Sequence, residues 1–295
     1  MRFYTTYKEK REDTDMEIHW RSETENHMKI HETNGVTYLT FQAFEELPGI
    51  VHGFSTRLGG VSRGDCASMN LSFSRGDREE DVRENYRRLA AAVGFSPEQI
   101  VCSDQTHTTN VRVVTEADRG KGFAADRDYT DVDGLVTNVP GLVLATFYAD
   151  CVPLYFVDPG KRVIGLSHSG WKGTVGRIGK VTVETMQREY GCRPEDILAA
   201  IGPSICQECY EVSEDVAEQF MSAFPASEHG KILINKGHGK YLLDLWAANA
   251  LIFAESGILP AHISYPGICT CCNPDFLFSH RASKGKRGNL GAFLG

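Results

Sequence analysis

The chain has 295 residues, 41% of them hydrophobic and 24% charged, with a formal net charge of −8. That balance fits a folded globular protein and opposes nonspecific nucleic-acid binding, which needs a basic surface. No apolar run approaches the length that spans a bilayer, and the N-terminus lacks the apolar core of a secretory signal, so a cytoplasmic protein is expected.

Residues 1–35 are dense in charge and poor in apolar periodicity, which reads as a peripheral extension, partly ordered at best. Met16 and Met28 lie inside it as alternative starts. The compact domain is expected over residues 36–295. GVTYLTF from Gly35 alternates like a strand, and VHGFSTRLGGVSRG reads as a glycine-rich loop. EEDVRENYRRLAAAVGF predicts a helix with Val82, Tyr86, Leu89, Ala90 and Val93 on one face and Gly94 as its C-terminal cap. Strand-like runs follow at VRVVTEA, DGLVT, LVLATFYAD, PLYFVD and RVIGLSH. KGTVGRIGKVTVETMQREYG predicts one helix beginning beside Lys172, and ILAAIGP another buried strand. SEDVAEQFMSAF predicts a helix capped by Ser213, and YLLDLWAANALIFAESG a further helix. The basic cluster HRASKGKRGN reads as a solvated tail loop. Strands in consecutive runs with helices between them predict an α+β domain. No dinucleotide or Walker phosphate loop occurs.

Reactive side chains gather in four segments: HGFSTRLGGVS with His52 and Arg57, DQTHTTNV with His107, ADCVP with Asp150 and Cys151, and SHSGWKG with His168 and Lys172. Cys151 and His168 lie seven residues either side of the DPGK turn, so an antiparallel hairpin should set them side by side. A buried cysteine is ordinarily a core residue. Asp150 beside it argues for a polar setting, because a carboxylate is not left unpartnered in a dry core. Two functional readings compete: a thiol nucleophile with its base, or two ligands of one metal. His107 is the best third ligand, and a His2Cys set leaves the open position of a catalytic zinc.

Nine cysteines in a cytoplasmic chain argue for metal binding or catalysis rather than a disulfide framework. Cys206/Cys209 and Cys269/Cys272 each have CxxC spacing, and two such pairs can make a structural zinc knot. Here 59 residues lie between Cys209 and Cys269, beyond ordinary zinc-ribbon spacing, and local packing of free thiols is the competing reading.

The motifs HGFSTRLGGVS, NLSFSRGD, QTH, DVDGLVT, ADCVPL, HSGWKG, GPSI…CYEV and DLWAAN occur in this order. Together they resemble the laccase-domain (multicopper polyphenol oxidase) family, also described as purine nucleoside phosphorylases. The resemblance spans roughly residues 36–290. It implies a single α+β domain of layered mixed sheets flanked by helices, similar to the catalytic domain of bacterial Cys/His deamidase toxins. It implies His107, Cys151 and His168 as metal ligands, with zinc expected and copper able to compete. It implies phosphorolysis of adenosine, inosine and methylthioadenosine, and deamination of adenosine, with nucleoside and phosphate as partners. Within that reading Asp150 is the candidate proton shuttle, Arg57 and Lys172 candidate phosphate contacts, and Asn70 and His52 candidate substrate contacts. NLS stands where NLG is usual, HSGWKG where HAGWRG is usual, and the tail around Arg281 departs from the family pattern. The oxidase name fits poorly: ten histidines with no HxH pair cannot build a multicopper centre.

Overall fold

The computed structural model describes residues 5–10, 16–22 and 28–295. Two six-stranded sheets form its centre. The first runs Met28–Thr33, Val36–Phe41, His52–Ser55, Leu290–Leu294, Val143–Tyr148 and Ile100–Cys102; the second runs Ile263–Ser264, Leu198–Ile201, Val152–Asp158, Val163–Ser169, Gly134–Thr137 and Val111–Val113. Both mix parallel and antiparallel pairs.

Side-chain alternation explains the layering. Along Val152–Asp158, Leu154 and Phe156 join a core with the helices Ile178–Tyr190 and Leu245–Glu255, whereas Tyr155 and Val157 join a core between the sheets. In the first sheet, Leu290, Ala292 and Leu294 face the inter-sheet core and Phe293 faces the helix Glu79–Val93. Strands buried on both faces read as continuous apolar runs, and this is why PLYFVD and LVLATFY are legible. The result is helix, sheet, sheet, helices: an α+β domain of layered mixed sheets. Among the described residues no helix is long and apolar enough to cross a membrane.

Several local expectations change. Within the segment read as a peripheral extension, Met28–Thr33 pairs along its length with Val36–Phe41, and Ile18 and Trp20 are buried. The rest of that segment, 1–4, 11–15 and 23–27, lies outside the described residues. VHGFS is a strand and not loop, pairing with the chain's last strand. The helix expected from Lys172 is two, Trp171–Val175 and Ile178–Tyr190, because Arg177 between them is left-handed at φ 62°. Ser213 precedes its helix but makes no capping bond; its hydroxyl turns to Asp215. YLLDLWAAN divides at Asp244, whose carboxylate caps the helix by accepting from Ala247 N at 2.9 Å.

Candidate metal centre

The hairpin Val152–Asp158/Val163–Ser169 pairs Pro153 with His168 and Val152 with Ser169. Cys151 is therefore not opposite His168, as counting from the turn suggested. The strands close at Asp158↔Val163, two residues beyond the Asp158–Lys161 turn, with Arg162 left-handed at φ 56°, and this shifts the register by two. Cys151 instead sits on the bend after Val143–Tyr148, where Asp150 has φ 89°. That bend still returns the sulfur to the imidazole: the ligand atoms of His107, Cys151 and His168 all lie within 4.8 Å of one another. Cys151 Sγ is 4.0 Å from His107 Nε2, and the imidazole rings meet edge-on with centroids 4.9 Å apart. A tetrahedral zinc with Zn–S about 2.3 Å and Zn–N about 2.0 Å implies N···S edges of about 3.5 Å. The set is near that spacing before any ion pulls it together.

One buried carboxylate builds this geometry. Asp133 Oδ2 accepts from Thr106 N (2.9 Å) and Thr108 N (3.0 Å), while Oδ1 accepts from His107 N (3.2 Å) and His168 Nδ1 (2.7 Å). The first three bonds fold the His107 turn, where His107 takes φ 67°. The fourth fixes the His168 tautomer, leaving Nε2 as the lone-pair donor; outer partners of this kind orient metal-bound histidines. Burial opposes the Asp133 carboxylate, but His168 and the backbone N–H groups hold it below its ordinary range. Asp133 is absent from the residues expected at the site, although DVDGLVT carries it. The usable signal was a carboxylate directly preceding a strand buried along its whole length, which needs a partner. Gly170 completes the approach: a Cβ there would lie 3.0 Å from His107 Cδ2 and 3.1 Å from Cys151 Sγ.

Electrostatics favour a metal-ready thiolate. Burial would raise the Cys151 thiol, yet His168 and His107 outweigh it and bring it to about 6. Burial would lower His168, yet the Cys151 sulfur and Asp133 raise it to about 9. Without metal the pair is thus a thiolate beside an imidazolium, which a cation would replace by displacing the proton.

The triad opens on a cleft of about 1050 Å³. His107 is exposed, Cys151 half-buried and His168 buried, so the open side of the set faces that space. Phe73, Phe123 and Phe147 supply aromatic wall, and Arg75, Arg83 and Arg287 supply positive charge. Burial and the nearby Arg75 push the Arg287 guanidinium down to about 10, while Asp150 and Cys151 pull the other way. Its Nε is buried without a hydrogen-bond partner. Arg287 belongs to the stretch read as a solvated tail loop; Lys284 and Lys286 are exposed as expected, whereas Arg287 is half-buried and lines the cleft, just before Leu290–Leu294 enters the sheet.

The structure brings together His107, Cys151 and His168 but not the other expected site residues. Asp150 is partly committed: Oδ1 accepts from Thr270 Oγ1 and Oδ2 from Arg281 N, both at 2.7 Å, and these bonds shape the bend. Arg57 lies outside the cleft lining. Its Nε and Nη2 donate to Ala67 O (3.0 and 2.7 Å), its Nη1 donates to Pro274 O (2.6 Å), and it stacks over Phe278. Asn70 is buried and saturated, bridging Ser72, Asp77 and Asn289 N. His52 is a core histidine that accepts from Phe41 N (2.8 Å) and is kept neutral by burial, down to about 4. Lys172 is exposed beside the Trp171 ring, away from the cleft lining. Arg281 donates to the carbonyls of Cys209 and Glu211.

Residues 51–295 match the family described as multi-copper polyphenol oxidoreductase laccase. The chain is 39% identical over 251 residues to "Purine nucleoside phosphorylase YlmD" of Bacillus subtilis (strain 168), covering 83% of this chain and 88% of that protein. It is 37% identical over 233 residues to "Adenosine deaminase RL5" of an unknown prokaryotic organism, covering 78% and 88%. The crystal structure of YlmD from Geobacillus stearothermophilus superposes with a TM-score of 0.84 at 36% identity, over 92% of this chain and 99% of that one. With most of its length matched and the sheets superposing, the chain belongs to the multi-copper polyphenol oxidoreductase laccase family.

Proposed function

We propose that this chain is a zinc-dependent purine nucleoside enzyme. It phosphorolyses adenosine, inosine and methylthioadenosine to free base and ribose-1-phosphate, and it deaminates adenosine. The observation that carries the reading is a His2Cys donor set at the mouth of a cleft that offers both aromatic faces and a guanidinium with an unpaired nitrogen. The relatives named purine nucleoside phosphorylase and adenosine deaminase support it.

The donors fit a metal: two imidazoles and a thiolate, with His168 Nδ1 occupied by Asp133 so that its Nε2 can coordinate. When bound, the ion supplies a Lewis acid on the open side of the set. The chain's own residues do the rest. Phe73, Phe123 and Phe147 suit the flat purine, since stacking on aromatic side chains tolerates any base. Arg75 and Arg287 suit phosphate: Arg75 lowers the proton affinity of Arg287, and an anion between the two like charges relieves their repulsion. Phosphorolysis forms a phosphate oxygen to C1′ bond as the glycosidic bond breaks, and the bonding pair leaves with the purine nitrogen. An arginine pair holding phosphate on one side of the ribose and an aromatic wall holding the base orient that exchange.

The test is product analysis. Adenosine incubated with phosphate should give adenine or hypoxanthine with ribose-1-phosphate, and without phosphate inosine only. No turnover in either condition by fully metal-loaded protein overturns the proposal. The thiolate–imidazolium pair of the metal-free state favours a second reading, a Cys/His thiol hydrolase or deamidase. Activity that persists after chelation and disappears in Cys151→Ala would select it.

A further inference from the structure

The two CxxC pairs take no part in the cleft, yet the fold brings them together. Cys206 precedes the short turn Gln207–Cys209 and Cys209 ends it, and Cys269 and Cys272 lie on the turn after Ile263–Ser264. A bridge between Ser204 and Cys269, with Thr270 N donating to Ser204 O at 3.1 Å, holds the segments side by side. All four sulfurs lie within 4.8 Å of one another. Cys206 Sγ is 3.9 Å and Cys209 Sγ 3.5 Å from Cys272 Sγ.

We propose that Cys206, Cys209, Cys269 and Cys272 form a second metal centre, a closed structural zinc site of four thiolates separate from the His2Cys set. The spacing carries it. Four sulfurs about 2.3 Å from a central zinc stand about 3.8 Å apart along each tetrahedral edge. A disulfide would need sulfurs at about 2.05 Å, and all four cysteines are free. The surroundings are those of anionic sulfur. Cys206 N and Cys272 N donate to Cys269 Sγ at 3.2 and 3.4 Å, and Arg21 Nη2 donates to Cys272 Sγ at 3.6 Å. Arg21 is itself anchored by Glu208. Four thiolates around a divalent ion leave two negative charges, which the guanidinium and the backbone N–H groups offset. Thiols packed as small hydrophobes have no use for such donors.

The site has a structural task. Between its second pair, Thr270 donates to Asp150 Oδ1 (2.7 Å), and beside its first pair Ile205 N donates to Asp150 O (3.0 Å). Asp150 shapes the bend that carries Cys151, so the four-thiolate site braces the bend from behind. Asn273, next to Cys272, also exchanges hydrogen bonds with the backbone of His19 (2.7 and 3.1 Å), tying the strand Glu17–Ser22 to the same turn.

Metal analysis of the full chain, purified without chelator or added metal, tests this. Wild type should carry two zinc equivalents. Cys269→Ser/Cys272→Ser should lose one and keep the other, and His107→Ala/His168→Ala should lose the complementary one. A single equivalent in wild type that the double cysteine variant retains overturns the proposal, as does iron in place of zinc. A single equivalent that the double cysteine variant loses would instead count against the His2Cys set. Should the double variant fail to fold, wild type decides alone. Its cobalt-substituted form should show the intense ligand-field absorption of a tetrahedral four-thiolate site, and these thiols should resist a thiol reagent until zinc is removed. Ready modification of all four with zinc bound refutes the site.

Discussion

Replacing Asp133 by asparagine changes one oxygen to an amide nitrogen at nearly constant volume. Each carboxylate oxygen now accepts two bonds: Oδ2 from Thr106 N and Thr108 N, Oδ1 from His107 N and His168 Nδ1. Whichever way the new amide turns, its NH2 group faces two N–H donors, and both are stranded unless the His168 ring changes tautomer. The residue is fully buried, so water does not compensate. At about 1–3 kcal/mol for each stranded donor, Asp133→Asn should destabilise the metal-free protein by about 2–6 kcal/mol. If the NH2 group faces His168, the ring is driven to the tautomer protonated at Nε2, which removes a metal ligand. Loss of such an outer partner weakens metal binding by roughly 10–100-fold. Denaturant unfolding of the stripped protein reads the first effect, and competition with a chelator of known affinity reads the second. Wild-type values in both would refute the claim that this carboxylate builds the site.

Gly170→Ala should fold with a small loss of stability but bind metal weakly, because its Cβ crowds His107 and Cys151; metal content after dialysis checks this. Arg287→Met should raise KM for phosphate at least tenfold with little loss of thermal stability, and Arg287→Lys should recover part of it. Arg57→Met should do the reverse, lowering Tm through three lost bonds to Ala67 and Pro274 carbonyls while KM for phosphate holds; steady-state kinetics and thermal melts separate the two. Burial lowers His52 to about 4 from an unfolded value of 6.5. The unfolded chain therefore takes up the proton first, and stability is lost as pH falls through the window from 6.5 toward 4. At about 1.36 kcal/mol for each pH step across that window, the loss approaches about 3 kcal/mol. Urea unfolding across that range should show the slope in wild type and a shallower one in His52→Gln.

The layers were legible where burial is two-sided. Continuous apolar runs such as PLYFVD and LVLATFY mark central strands, and the face of Glu79–Val93 with Gly94 left-handed at φ 102° marks its helix and stop. Boundaries set by single backbone conformations were not legible, as at Arg177 and Arg162, because nothing in an arginine's chemistry announces a positive φ. The candidate donors at 107, 151 and 168 were legible as residue types near strand ends. Their meeting was inferred from a hairpin count that the register does not obey, and the bend at Asp150 supplies the contact instead. The structure places Arg57, Asn70, His52 and Asp150 in one kind of setting. Polar side chains in glycine-rich motifs look like ligand contacts, and here each satisfies loop backbone or core donors. Asp133 was legible only as a carboxylate that needs a partner, since its converging N–H groups lie across space, and Arg287 was not legible because its setting depends on an open cleft.

The strand Val152–Asp158 is the shared wall of two cores, and every residue in it is buried. Its amides should exchange with solvent only when the whole molecule opens, so Cys151 at its head and His168 on its partner are donors fixed to the slowest-breathing part of the protein. His107 rides on an exposed turn held by three N–H contacts to one carboxylate. Such a centre is mechanically lopsided: an ion enters and leaves past the 107 side, and exchange there can proceed while both cores stay shut.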